Sequence, residues 1–275
     1  CDSHTSEKTY WFSLEEGYIL KPGQGTQISK IGEDTGVSSG TTAFYSWSGL
    51  DLNTTYNWSV EASDGKETTR LGIWNFTTEE NVEPVTSTPS ISPSLPTNSD
   101  DLTCSFTVTD NNIGQTLTAD VVFYKNGNLE YTVNGKSVTD GQSESVVLSS
   151  GNTLRGEDWT CEVSPYDGYE YGVTKESDEV HINELPTASV SDQNSAEGTS
   201  HTFSQSSSDP DGSITSYEWG IDSGGQYNDM TGSSPSKSWS ELEALGIDDD
   251  GTYSIGLKVT DDAGETDTDT ATLTV

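Results

Sequence analysis

Alternation with a period of two residues recurs along this chain and limits, more than any other feature, what it can fold into. Leu102, Cys104, Phe106 and Val108 are interleaved with Thr103, Ser105 and Thr107. The same spacing links Trp159, Cys161 and Val163, then Tyr253, Ile255, Leu257 and Val259, then Ala271, Leu273 and Val275. Near the start, Tyr56, Trp58, Val60 and Ala62 alternate with Asn57, Ser59 and Glu61. Successive side chains of a strand leave opposite faces, so each run has one face for a core and one for water. A buried face demands a partner sheet. No long apolar stripe of period 3.6 competes, and Gly, Asp, Asn and Ser turns separate the runs. The chain is expected to be all-β, built of packed sheets.

Its 275 residues exceed what one small sandwich needs and suit two or three. The charge is one-sided: 46 acidic residues against 11 basic give a net of −35. A polyanion of this size repels DNA, RNA and anionic membrane surfaces, so nucleic acid is excluded as a partner. Carboxylates at this density suit a halophile, where salt screens the self-repulsion, or a surface protein whose acids are neutralised by calcium. A third setting, an acidic mesophilic secreted protein, fits less well because so few lysines interleave, and of the three the first is favoured. No apolar run is long enough to cross a bilayer, and no leader peptide is evident, which reads as an internal piece of a longer extracellular or cell-envelope protein.

The C-terminal third is organised by Ser206–Trp219 (SSSDPDGSITSYEW) and Gly251–Gly264 (GTYSIGLKVTDDAG). These stretches resemble the PKD domain, a β-sandwich module of secreted and surface proteins, and the resemblance covers 185–275. It departs from the common pattern after Trp219: an Asp-Phe-Gly-Asp-Gly turn is replaced by Gly220-Ile-Asp-Ser-Gly-Gly225. Tyr217 and Trp219 are expected in the core. Trp239, ahead of a short helical turn at Ser240–Leu245, is read as a plug beneath a loop in preference to a sugar platform.

The middle stretch, 81–184, begins with a Pro/Ser-rich linker entering an edge strand. Its two cysteine-centred strands are similar to those of a distant immunoglobulin-like domain. That resemblance implies an inter-sheet disulfide, Cys104–Cys161, which would close a loop of nearly sixty residues. It would contribute about 4 kcal/mol on the chain-entropy model. Phe123 takes the place of the family's buried tryptophan, and Trp159 that of its corner tyrosine.

In the first stretch, 1–80, Leu50–Trp58 followed by Ile73–Thr78 resembles the end of a fibronectin type III domain. Further strands are expected at Lys8–Leu14, Thr26–Ile31 and Thr42–Trp47. That makes about five where such a sandwich has roughly seven. Asp2–Ser6 leading to Glu16-Gly17 parallels Asp110–Gly114 leading to Asn126-Gly127, so the missing strands are placed before Cys1. The whole is then three tandem immunoglobulin-like β-sandwiches, the first lacking its N-terminal strands. Cys1 carries a second reading, as the lipidated residue of a bacterial lipoprotein; the strand deficit favours truncation.

Catalytic constellations are absent from the sequence. His4, His181 and His201 are isolated, and no metalloprotease, nucleophile-elbow or phosphate-loop motif occurs, so this region is not read as an enzyme. The candidate site is for calcium. In sandwiches of this kind the N-terminus shares an end with two loops, which gathers Asn183 and Glu184, Asp209 and Asp211, and Asp261 and Asp262. Such an oxygen-rich set suits a hard cation, and some PKD domains bind calcium near this position. The alternative is that Asp-Pro-Asp-Gly caps its own turn. Glu83, Asp110, Asn112 and Asp167 repeat the arrangement in the middle stretch. Glycosylation sequons lie at Asn53, Asn57 and Asn75, with Asn57 placed outward on its strand.

The function expected is a structural or adhesive spacer of a secreted or cell-surface protein, with its own neighbouring modules, a cell-surface protein or a polysaccharide as partners. The rival is an accessory region of a secreted protease or glycoside hydrolase, binding polymer through Trp11, Trp47 and Trp239.

Overall fold

A computed structural model of the chain describes residues 8–16, 28–38, 41–222 and 224–275. Cys1 and His4 lie outside these. The chain forms two compact units, residues 1–82 with 111–114 and residues 83–110 with 115–275.

In the first unit, β1 (Lys8–Glu16), β2 (Ile28–Val37), β3 (Thr55–Ser63) and β4 (Thr68–Thr77) form one antiparallel sheet in the order β2-β1-β3-β4. The register sets Tyr56 opposite Phe76 and Trp58 opposite Trp74, so the alternation of β3 is matched on its neighbour. The strand expected at Thr42–Trp47 does not form. That segment is coil, and both neighbours of β1 are already β2 and β3. Its aromatic alternation serves instead to lay Trp47 edge-on against Tyr56 and Phe76, at ring separations of 5.0 and 5.9 Å.

The second unit holds two cores. The first is wrapped by β5 (Val85–Thr86), β6 (Ser90–Ser92), β7 (Leu102–Thr109), β8 (Thr118–Lys125), β9 (Asn128–Ser137), β10 (Ser143–Leu148), β11 (Asp158–Tyr166), β12 (Lys175–Glu176) and β13 (Val180–His181). One sheet runs β10-β7-β5 with β6 also on β7; the other runs β12-β11-β8-β9 with β13 also on β11. Leu102, Cys104, Val108, Val121, Phe123, Trp159, Cys161 and Val163 are all fully buried, as the alternation required. Cys104 and Cys161 form a disulfide with their Cα atoms 6.3 Å apart. The Trp159 indole N–H has no tyrosine-like corner bond and donates to Glu157 Oε2 at 3.3 Å, while the Lys125 ammonium lies 5.9 Å from its ring.

The second core belongs to β14 (Gln193–Asn194), β15 (His201–Thr202), β16 (Ile214–Ile221), β17 (Met230–Thr231), β18 (Ser236–Lys237), α1 (Trp239–Ala244), β19 (Thr252–Asp261) and β20 (Thr266–Thr274). The strands form a five-stranded sheet, β14-β20-β19-β16-β17, and a short pair, β15-β18. Trp219 is buried, packs on Phe203 and donates its indole N–H to the Gly232 carbonyl at 2.9 Å. Helix α1 starts with a capping box in which the Ser238 amide donates to Glu241 Oε2 at 2.9 Å. Trp239 packs half-buried against this core, the plug that its sequence context implied.

Candidate functional site at the sandwich junction

The two cores of the second unit meet where the β10–β11 loop and the strand end at Ile182–Glu184 face the β19–β20 turn and the Asp-Pro-Asp-Gly loop. Arg155 comes from the first of these. Its guanidinium lies against the Glu265 carboxylate through both terminal nitrogens, with Nη2 to Oε1 at 2.6 Å and Nη1 to Oε2. Nη1 also donates to the Asn183 carbonyl at 3.1 Å. A planar fork matched to a carboxylate is the strongest of ordinary ionic hydrogen bonds. The pairing holds the Glu265 carboxyl below its usual range, assisted by the Asn183 amide, and raises the guanidinium further.

Asn183, 5% exposed, ties the joint together. Its Nδ2 donates to Asp261 Oδ2 and Glu265 Oε2, both at 2.9 Å, and to the Glu184 carbonyl at 2.7 Å. Its backbone amide donates to the Pro96 carbonyl. Asp261 is buried at 2% exposure; its Oδ1 accepts the Glu265 amide at 2.7 Å and shapes the turn that presents Glu265. The Asp211 carboxylate receives the Glu184 amide at 3.0 Å. His181 bridges the same gap, with Nδ1 2.6 Å from Asp158 Oδ1 and Nε2 3.4 Å from Asp211 Oδ2. The Asp158 hydrogen bond raises the imidazole's affinity for its proton against the effect of burial.

Asp209 stands apart. Both carboxylate oxygens are withdrawn from solvent. Burial lifts its carboxyl above the usual range, offset in part by the Asp211 backbone amide and reinforced by the charges of Asp211 and Asp261. Gly212 makes the crowding possible, because a β-carbon there would lie 2.4 Å from Asp262 Oδ1 and 3.0 Å from Asp209 Oδ2.

The structure therefore brings Asn183, Asp211 and Asp261 into one network, with Glu184 contributing backbone and Asp209 and Asp262 beside it. Among the described residues no three carboxylate, histidine or cysteine side chains converge in the manner of a metal-ligand cluster. Sequence reasoning missed Arg155, His181 and Glu265. The available signal was scarcity, since Arg155 is one of two arginines in a chain of net charge −35.

In the second acidic set, Asp167 and Asn112 are buried and make hydrogen bonds to backbone groups. Asp167 Oδ1 caps its own turn by accepting the Tyr169 and Glu170 amides. Asn112, in the first unit, accepts the Val82 amide and donates to the Glu80 carbonyl. The Asp110 amide donates to Asp140 Oδ1, and Glu83 is exposed. Of the sequon residues, Asn53 and Asn75 are exposed, while Asn57 is half-buried on inner strand β3.

Residues 189–275 match the family model described as K319L-like, PKD domain. A stretch of 106 residues, 38% of the chain, is 36% identical to the pre-pro-metalloprotease PrtV of Vibrio cholerae serotype O1, of which the match spans 10%. Among solved structures, a 1.5-MDa bacterial ice-binding adhesin aligns over 100% of this chain and 87% of its own, at 16% identity and TM-score 0.40. Fibronectin(III)-like modules of Clostridium thermocellum CbhA align over 70% of this chain and 94% of theirs, at 13% identity and TM-score 0.29.

Proposed function

We propose that this chain is a non-catalytic, structural or adhesive spacer of a secreted or cell-envelope protein, built of sandwich modules over 1–80, 81–184 and 185–275. The observation that carries the reading is the Arg155–Glu265–Asn183 joint. It uses one of the chain's two arginines to fix one sandwich against the next, which a spacer needs and an independent binding head does not. The PKD match at 189–275 supports an extracellular setting. A net charge of −35 supports a high-salt medium, in which self-repulsion is screened. Amide relaxation by NMR tests the reading: 81–275 is expected to tumble as one body, and independent tumbling of its two halves refutes it.

Calcium at the joint belongs to the same reading. The residues that would hold it are Asp209, Asp211, Asp261 and Asn183, and the solvent-withdrawn oxygens of Asp209 favour it, because a cation would neutralise them. Against the turn-only alternative, calorimetric titration at fixed high salt is expected to show saturable heat that Asp209→Asn removes. Absence of heat in the wild type rejects the site.

The match to a Vibrio pre-pro-metalloprotease favours a second reading, an accessory region beside a secreted protease. Of the aromatics that reading relied on, Trp47 and Trp239 are half-buried against their own packing partners, and the side chain of Trp11 lies outside the described residues. Pull-down on insoluble chitin, cellulose and collagen separates the two. Retention supports the accessory role, and passage through all three supports the spacer.

A further inference from the structure

Open sheet edges invite another strand, and among the described residues the long edge strands carry charged side chains. Strand β2 carries Lys30, Glu33 and Asp34, β9 carries Glu130 and Lys136, and β10 carries Glu144. Strand β4 is also an edge, with β3 its sole ladder neighbour among the described residues. It is exposed along its whole length. Within it Ile73–Thr77 has no charged residue, and Ile73, Trp74 and Phe76 are 57%, 42% and 37% exposed.

The backbone direction there is fixed. The Thr78 amide donates to the Thr54 carbonyl of the neighbouring strand. By the alternation of a strand, Trp74 and Phe76 then also turn their backbone groups toward β3, and those of Ile73, Asn75 and Thr77 turn outward. Trp74 and Phe76 share a face with Trp58 and Tyr56, at ring separations of 5.0 and 5.8 Å. A register shift between Ser59 and Glu61 sets Leu71 and Gly72 together opposite Val60, which ends the regular segment on its N-terminal side.

We propose that Ile73–Thr77 is a self-pairing edge, through which two copies of this chain join antiparallel about a two-fold axis at Asn75. The outward groups at Ile73, Asn75 and Thr77 are the set that such an axis requires. Asn75 meets its counterpart as a hydrogen-bonded pair, and Ile73 meets Thr77 of the second copy. Trp74 then stands opposite Phe76 of the second copy at a non-hydrogen-bonded position, where side chains approach most closely and aromatic pairs add stability. Charge selects the same partner. Arg70 precedes the segment and Glu79 and Glu80 follow it, so antiparallel pairing puts each copy's basic flank beside the other's acidic flank. A basic foreign strand finds no acid within Ile73–Thr77 to recognise. Because each copy carries −35, salt should strengthen the dimer by screening the remaining repulsion.

Sedimentation equilibrium of the full chain, made without glycosylation, tests this at low and high salt. The expected result is a doubling of mass favoured by salt, abolished by Ile73→Lys with an unchanged far-ultraviolet spectrum. In a Cys1→Ser background, Asn75→Cys should crosslink the two copies on mild oxidation, and Asn57→Cys on the inner strand should not. A monomer at every salt concentration, a dimer that persists in Ile73→Lys, or equal crosslinking at positions 57 and 75 would overturn the proposal.

Discussion

Arg155 and Glu265 are 110 residues apart in sequence and face to face in space, joined through both terminal guanidinium nitrogens. One belongs to the middle sandwich and the other to a turn of the C-terminal one. Their side chains are only 28% and 19% exposed, so solvent screens the pair less than an ordinary surface ion pair. Removing one partner strands the other's charge. Arg155→Ala is expected to destabilise the joint by about 1–3 kcal/mol. Calorimetry would show it as a single transition of the second unit splitting into two. Arg155→Lys keeps the charge without the fork and should recover only part of the loss. An unchanged single transition in Arg155→Ala would contradict the assigned role.

The same pair sets an acid limit. The Glu265 carboxyl is held below its ordinary value of 4.5, first by Arg155. A group whose folded-state pKa is depressed contributes stability that is present above its unfolded value and lost as pH falls through the folded value. The coupling of the two sandwiches should therefore be intact at neutral pH and weaken on acidification below about pH 4.5. Glu265→Gln should remove that part of the acid slope while lowering stability at pH 7. Thermal melts of both proteins from neutral to acid pH check it, and parallel slopes would remove Glu265 from the account.

How far the sequence reached is visible at particular residues. Leu102, Cys104, Phe106, Val108, Trp159, Cys161 and Val163 were placed inward by alternation alone, and all are buried. A strand's faces are local, so the pattern suffices. The joint is different. Asn183, Asp211 and Asp261 were gathered because the sandwich topology puts their loops at one end. Arg155 and Glu265 escaped because nothing local marks a loop arginine as the partner of a turn glutamate so far along the chain. Thr42–Trp47 failed for the converse reason. Alternation can be consumed by packing on a sheet face as readily as by a ladder, and only the occupancy of the edges decides.

The disulfide offers a test by removal. Cys104 and Cys161 are separated by 57 residues, and opening that loop should cost about 4 kcal/mol on the chain-entropy estimate. Cys104→Ala with Cys161→Ala should lower the unfolding temperature of the middle sandwich. The C-terminal sandwich, whose core is built separately around Trp219 and Phe203, should melt as before once the two transitions are resolved in Arg155→Ala. Equal loss in both transitions would mean that the cores are not separable.

Gly172 gives the sharpest steric prediction. It is buried, its amide donates to the Pro165 carbonyl at 2.9 Å, and a β-carbon placed on it would lie 1.7 Å from the Pro84 carbonyl oxygen. The obstacle is backbone, so no side-chain rotation relieves it. Gly172→Ala must push the segment after β11 away from the start of β5, costing about 1–3 kcal/mol by the measure of overpacked cores. Gly198→Ala is a useful contrast, because it has a positive φ of 76° but nothing within 4 Å of the added carbon. Its cost comes from backbone conformation alone and is about 1 kcal/mol. Urea unfolding of the two variants side by side should rank Gly172→Ala as the more damaging. The reverse order would show that the Pro84 segment yields without penalty.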